Sequence, residues 1–152
     1  MKIAIVALAL FAIERFFITA FRMNGNAMFP AVRDGDLCII IKTGDPVKDD
    51  VVLWKDEDGK KRISRVVAVS GQEVGISDGE ITIDGYAPAE SIFYETDPAA
   101  ESDVRYPYKT DDGTYFLLND FREDKEDSRI YGSINREDIT GKLLFILRRR
   151  GF

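Results

Sequence analysis

The sequence predicts a mostly β domain, a coiled antiparallel sheet with a barrel-like form, behind an N-terminal membrane-anchor helix. Three observations carry this. Short β-branched runs recur from residue 37 onward, each bounded by Gly, Asp or Pro turn signals. No repeat, heptad or convincing amphipathic helix follows residue 25. Ahead of both, Ile3 to Ile13 is an unbroken apolar run of eleven residues, preceded by Lys2.

As a helix that run is roughly 16 Å long, about half of a bilayer's hydrocarbon core. Continuing it through Phe16, Phe17, Ile18 and Phe21 gives roughly 28 Å, with Glu14 and Arg15 near enough to one end to reach the interface. No small-x-small cleavage site follows, and the run is apolar on every face. Residues 1–21 are therefore expected to be a membrane anchor, and residues 22–152 a β domain.

Leu37 to Lys42 predicts the first strand, stopped by Thr43-Gly44-Asp45-Pro46. Val51 to Trp54 predicts the next, joined through an Asp56-Glu57-Asp58-Gly59 hairpin turn to Lys61 to Val69. Glu73 to Ile76 and Ile81 to Ile83 flank Ser77-Asp78-Gly79 as a second hairpin, closed by Asp84-Gly85. From Tyr86 to Lys109 three prolines and the small, acidic stretch Ala99 to Asp103 predict a mobile segment or lid. Thr114 to Leu118 and Ile139 to Leu147 complete the strands.

With 152 residues, 45% of them hydrophobic, the chain is long enough for one compact domain and too short for two ordinary ones. It has no histidine and one cysteine, Cys38, within Leu37-Cys38-Ile39-Ile40-Ile41. That removes Ser-His-Asp and Cys-His catalysis, an internal disulfide and a His- or Cys-based zinc site; no metal or cofactor is expected. Cys38 is expected to be a buried small hydrophobe. A net charge of −6 argues against a nucleic-acid partner.

Four stretches, in order, match the motifs of one protein family. Ala27-Met28-Phe29-Pro30 with Gly35-Asp36 is similar to that family's Ser-Met-x-Pro and Gly-Asp, and follows an apolar segment. Asp50-Val51-Val52-Leu53-Trp54 resembles Gly-Asp-Ile-Val-Val-Phe. Arg62-Ile63-Ser64-Arg65-Val66-Val67-Ala68-Val69-Ser70-Gly71 resembles Tyr-Ile-Lys-Arg-Val-Val-Gly-Leu-Pro-Gly. Tyr115 to Arg122, then Asp127-Ser128-Arg129 and Gly132, resemble Tyr-Phe-Leu-Leu-Gly-Asp-Asn-Arg, Asp-Ser-Arg and Gly; Asp138-Ile139-Thr140-Gly141-Lys142 follows as it does there.

Together these stretches resemble the type I signal peptidases (peptidase family S26), and the resemblance implies a serine nucleophile and a neutral, buried lysine base that together cleave preproteins after small residues. Ala27 stands at the nucleophile's position and Ser64 at the base's. Gly25 stands where many members carry a serine of the oxyanion hole, and Lys125 where many carry a serine that orients the base. Ser64 and Lys125 thus form an exchanged serine–lysine pair that could still face each other; the alternative is that Lys125 is simply solvated. Lys60 and Lys61 are expected too far along the strand, or on the wrong face, to serve as base. Asp120, Arg122, Asp127, Ser128 and Arg129 are expected to brace the site, with Arg65 pairing Asp127. Gly25, Met28 and Pro30 would shape a groove able to take an extended peptide along a strand edge.

Two functions follow from the resemblance. One is a non-catalytic, membrane-anchored relative that binds a secreted preprotein or pilin-like protein, as degenerate members do beside sortases in Gram-positive pilus assembly. The other is an active type I signal peptidase, with Ala27 an engineered replacement or with the exchanged Ser64 and Lys125 acting together. An engineered change accounts for Ala27 alone, whereas Gly25, Ser64 and Asn119 depart as well. The family places the domain on the extracytoplasmic face of a single span, and Arg148-Arg149-Arg150 either touch anionic lipid or are solvated.

Overall fold

The computed structural model describes residue 6, residues 17–89 and residues 91–148. Its strands in chain order are β1 (Ile18–Arg22), β2 (Leu37–Ile41), β3 (Val51–Lys55), β4 (Lys61–Ala68), β5 (Glu73–Ser77), β6 (Glu80–Ile83), β7 (Tyr108–Lys109), β8 (Thr114–Leu118), β9 (Ile134–Asn135) and β10 (Ile139–Leu147), with one helical turn, α1 (Ser128–Tyr131), between β8 and β9. Seven strands form a curled antiparallel sheet in the order β1-β2-β10-β3-β4-β8-β9, and β6-β5-β7 form a smaller one.

Strand alternation divides the core. Leu53 and Ile63 lie directly opposite on β3 and β4 and join Met23, Met28, Val32, Cys38 and Ile40 in one cluster. The intervening Val52, Trp54 and Val66 point the other way, against Leu117, Ile134 and Ile139. Register shifts in β10 and between Val66 and Ala68 of β4 bend the sheet, as bulges do. A third cluster, from Val74, Ile76, Ile81, Ile83, Phe116 and Leu118, joins the two sheets. Cys38 is fully buried, and burial, with a smaller contribution from Asp36, pushes its thiol up to about 11.

The sheet corrects the anchor's boundary. Ile18 to Phe21, which the sequence joined to the apolar run, form β1 and pair residue by residue with β2, Phe21 opposite Cys38. A strand satisfies its backbone through that pairing, so the span cannot continue through these residues as helix. The rest of the expected anchor, apart from residue 6 and Phe17, lies outside the described residues. Among the described residues no helix is long and apolar enough to cross a membrane.

A second correction concerns the segment expected to be mobile. Its middle is tied down by three cations: Arg122 Nη1 donates to Thr96 Oγ1 at 2.8 Å, Arg129 Nη1 to the Asp97 carbonyl at 3.3 Å, and Lys125 Nζ to the Pro98 carbonyl at 2.9 Å. Phe93 and Tyr86 nevertheless project into solvent. A third concerns the tail. Arg148 grips the buried Asp36 carboxylate, Nη2 to Oδ2 at 2.6 Å and Nε to Oδ1 at 2.9 Å, instead of standing free. Arg149 and Arg150 lie outside the described residues.

Candidate functional site

The turn that carries Ala27 leaves the end of β1 and returns to β2. Its ends are closed by Met23 N–H donating to the Asp36 carbonyl at 2.8 Å and Gly35 N–H to the Met23 carbonyl at 2.9 Å. Gly35 adopts φ +82°, a left-handed conformation that glycine accepts without strain. Met28 is fully buried and its sulfur accepts from Asp120 N–H at 3.4 Å, while Phe121 N–H donates to the Ala27 carbonyl at 2.9 Å. The turn is thereby stitched to the loop of residues 119–127.

A cleft of about 150 Å³ lies beside Ala27. Phe21, Met23, Asn24 and Ala27 line it from the β1 side, Lys60, Lys61, Arg62 and Ile63 from β4 and the turn before it, and Asn119, Asp124 and Glu126 from the 119–127 loop. The Ala27 methyl is partly buried against the Met28–Ile63 cluster. Gly25 and Pro30, expected in the groove, do not line this cleft. Gly25 sits at φ +88°, its N–H donating to Asp34 Oδ1 at 2.8 Å, and Pro30 is exposed. Met28 lies beneath the cleft as packing.

Lys60 and Lys61, which the sequence analysis considered only as substitutes for the base, line the cleft. The hairpin turn after Asp56 brings the chain back at Lys60, so the first residues of β4 face β1 and its turn.

Ser64 is enclosed. It has no exposed surface, its Oγ donates to Asn119 Oδ1 at 2.7 Å, and it accepts from Trp54 Nε1 at 3.0 Å. Asn119 Nδ2 in turn donates to Asp124, at 3.3 Å to the carbonyl and 3.2 Å to Oδ1. Asn119, overlooked in the sequence as a site residue, therefore lines the cleft and caps Ser64. Of the two alternatives for Lys125, the exchanged pair with Ser64 is not formed: Lys125 is committed to the Pro98 carbonyl and lines a separate hollow with Phe93, Tyr94 and Glu95. Its chain leaves the loop on the side of that segment, whereas Ser64 points toward Trp54.

Asp120, Arg122, Asp127, Ser128 and Arg129 are buried and Arg65 is half-buried, and the pairing differs from the one expected. Arg65 makes a bidentate pair with Asp120, Nε to Oδ1 at 2.7 Å and Nη2 to Oδ2 at 2.6 Å, not with Asp127. Asp127 is taken by its neighbour on α1: Arg129 donates to it from Nε at 2.9 Å and Nη2 at 2.7 Å, and both side chains are fully buried. The fold decides this, because it places Asp120 and not Asp127 within reach of Arg65. Asp127 also caps α1 through Arg129 N–H and accepts from Asn119 N–H at 2.9 Å. Arg129 donates further to the carbonyls of Arg122 and Asp124, both at 2.7 Å. Ser128 Oγ accepts from Leu117 N–H at 2.8 Å. One buried ion pair thus fixes the whole loop that walls the cleft, a charge-assisted and fully bonded arrangement.

At the cleft's outer end Arg62 bonds Asp56, Glu126 and the Tyr131 hydroxyl. Burial raises the Asp56 carboxyl, but Arg62 and the Lys60 and Asp58 N–H groups outweigh it and hold it below the usual carboxylate range. Among the described residues no group of His, Cys, Asp and Glu is placed to hold a metal ion.

Two strand edges border the cleft. β1 pairs only with β2, and β4 pairs with β8 only from Arg65 onward, so Lys61 to Ser64 have no strand beside them on the side away from β3 among the described residues. Such edges can accept an added extended chain.

Comparison with known proteins agrees with this architecture. The family model for signal peptidase, peptidase S26, matches residues 1–148. Signal peptidase IB of Staphylococcus aureus is 25% identical over 162 residues, covering 95% of this chain and 85% of that protein. Probable signal peptidase I-1 of Synechocystis is 28% identical over 154 residues, covering 92% and 76% respectively. The crystal structure of a signal peptidase I from Enterococcus faecalis shares the fold, with a TM-score of 0.54 and 20% identity over 66% of this chain and 97% of that one.

Proposed function

The chain belongs to the signal peptidase family, peptidase S26, and on that premise we propose that it holds an extended segment of a secreted protein in the Ala27 cleft without cutting it. The observation that carries the reading is the chemistry of the cleft. The side chain at the nucleophile's position is a methyl group, and the hydroxyl at the base's position is sealed between Trp54 and Asn119. Neither can attack a carbonyl nor take a proton from a nucleophile. The binding half of the site is kept: an apolar floor from Phe21, Met23 and Ile63, open strand edges on both sides, and a rigidly braced wall.

The reading places the domain on the extracytoplasmic face of the membrane, tethered by the apolar N-terminal segment. Its partner is then a secreted preprotein or pilin-like protein, as in sortase-linked pilus assembly. The second reading, an active peptidase using Ser64 and Lys125, has no supporting contact among the described residues, where Lys125 bonds the Pro98 carbonyl.

The test blocks the cleft from an exposed position. A labelled extended peptide containing Ala-x-Ala is titrated with the unaltered chain and with Asn24→Trp, whose new side chain enters the cleft from its β1 wall. We expect saturable binding that Asn24→Trp weakens about tenfold, equivalent to roughly 1.4 kcal/mol, with an unchanged melting temperature. No binding by the unaltered chain, or equal binding by both, would overturn the proposal.

A further inference from the structure

The charges around the cleft are not balanced. Arg62 is paired with Asp56 at 2.8 Å and also with Glu126, which lies 3.9 Å from Lys60. Asp124 Oδ1 accepts from Asn119 Nδ2 at 3.2 Å and from Glu126 N–H at 3.0 Å. Both acidic residues of the cleft are therefore committed. Lys61 is exposed and has no ion-pair partner among the described residues. Directly opposite it on β3 stands Lys55, exposed and likewise without an ion pair. Like charges facing each other across a ladder are destabilising, and this pair persists in a chain of net charge −6 with 27 Asp and Glu residues to choose from.

Strand geometry turns this surplus into a register. Lys61 and Ile63 are two residues apart, so their side chains leave the same face of β4, roughly 6.6 Å apart. Ile63 belongs to the apolar floor of the cleft with Phe21 and Met23 and packs in one cluster with Ala27. A peptide added along the open edge of β4 presents its own residues i and i+2 to that same face. Resting on the cleft reading above, we infer that the bound segment carries an acidic side chain facing Lys61, two residues from the small side chain that sits over Ile63. The ligand class is thus an extended peptide with a small residue and a carboxylate spaced by one intervening residue. A carboxylate there meets an unpartnered ammonium and relieves the Lys55–Lys61 repulsion, while a basic residue adds a third like charge.

The experiment uses end-capped fluorescent peptides of about ten residues, the length of a strand with short flanks. They carry a central Ala, with Glu, Gln or Lys two residues before or after it. Each is titrated by anisotropy against the unaltered chain and against Lys61→Glu, a change at an exposed position. In one of the two orientations the Glu peptide should bind roughly threefold to fivefold tighter than the Gln peptide, the most an exposed ion pair delivers, and the Lys peptide more weakly still. Lys61→Glu should reverse that order, and about 0.5 M salt should flatten it. Equal binding of the three peptides, or an order unchanged by Lys61→Glu, overturns this inference and leaves the cleft reading standing. If none of them binds, the cleft reading fails and takes this inference with it.

Discussion

Asn119 is the residue that most changes how the site is understood. The pattern that the sequence resembles has glycine there and lysine at the position of Ser64; here an amide and a hydroxyl are bonded to each other at 2.7 Å. Placing a lysine at residue 64 alone should therefore be costly. Ser64→Lys drives an ammonium into a position with no exposed surface, against Trp54 and Asn119, and should destabilise the fold by about 3 kcal/mol. Adding Asn119→Gly removes the obstructing amide, so urea denaturation should show the double variant recovering about half of that loss, a non-additive pair. A single variant as stable as the unaltered chain would show that Ser64 is not enclosed. The strand that carries Ser64 was legible in the sequence from its β-branched run. The Arg65–Asp120 and Arg129–Asp127 pairings were not, because either acid satisfies an arginine on paper and only the fold decides which one lies within reach.

At the scale of elements, the strands of the main body were legible where period-two apolar residues meet a turn that demands a left-handed residue. Asp78 and Gly79, at φ +53° and +79°, sit between β5 and β6, and Asp84 and Gly85, at +52° and +81°, end that hairpin. β1 was hidden because its residues continue an apolar run, and a composition signal cannot tell where a helix-compatible segment becomes a strand. β7 and β9, of two residues each, owe their existence to neighbours rather than to their own pattern. The clamp that joins the end of β10 to the turn before β2 is likewise a tertiary product, with Arg148 and Asp36 separated by 112 positions. The bond from Arg148 lowers the Asp36 carboxyl further than burial raises it, and the Arg33 N–H adds to that lowering. A depressed carboxyl stabilises the fold above its unfolded-state value and loses that contribution as pH falls through its folded value. The stability gap between the unaltered chain and Arg148→Gln should thus be constant from about pH 7 to about pH 5 and close below about pH 4. A gap that stays open in acid would mean that Arg148 acts through packing alone.

The whole molecule separates framework from chemistry. The fold follows the signal peptidase plan, and the family model matches residues 1–148, while residue 27 holds a methyl group and the Ser64 hydroxyl is sealed. Family membership fixes the fold and leaves the chemistry to be read from the residues. The same scale explains the loop of residues 93–98: its ties to Arg122, Lys125 and Arg129 anchor it to the 119–127 loop and α1, an outcome that its prolines and acidic residues concealed. The deciding measurement mixes the chain with a fluorescent Ala-x-Ala preprotein in detergent and follows binding by anisotropy and product by mass spectrometry in one sample. The preprotein should be bound and recovered intact. A cleaved product would show that a nucleophile exists in this chain other than at residue 27, and an intact but unbound preprotein would show that the cleft has no peptide to hold.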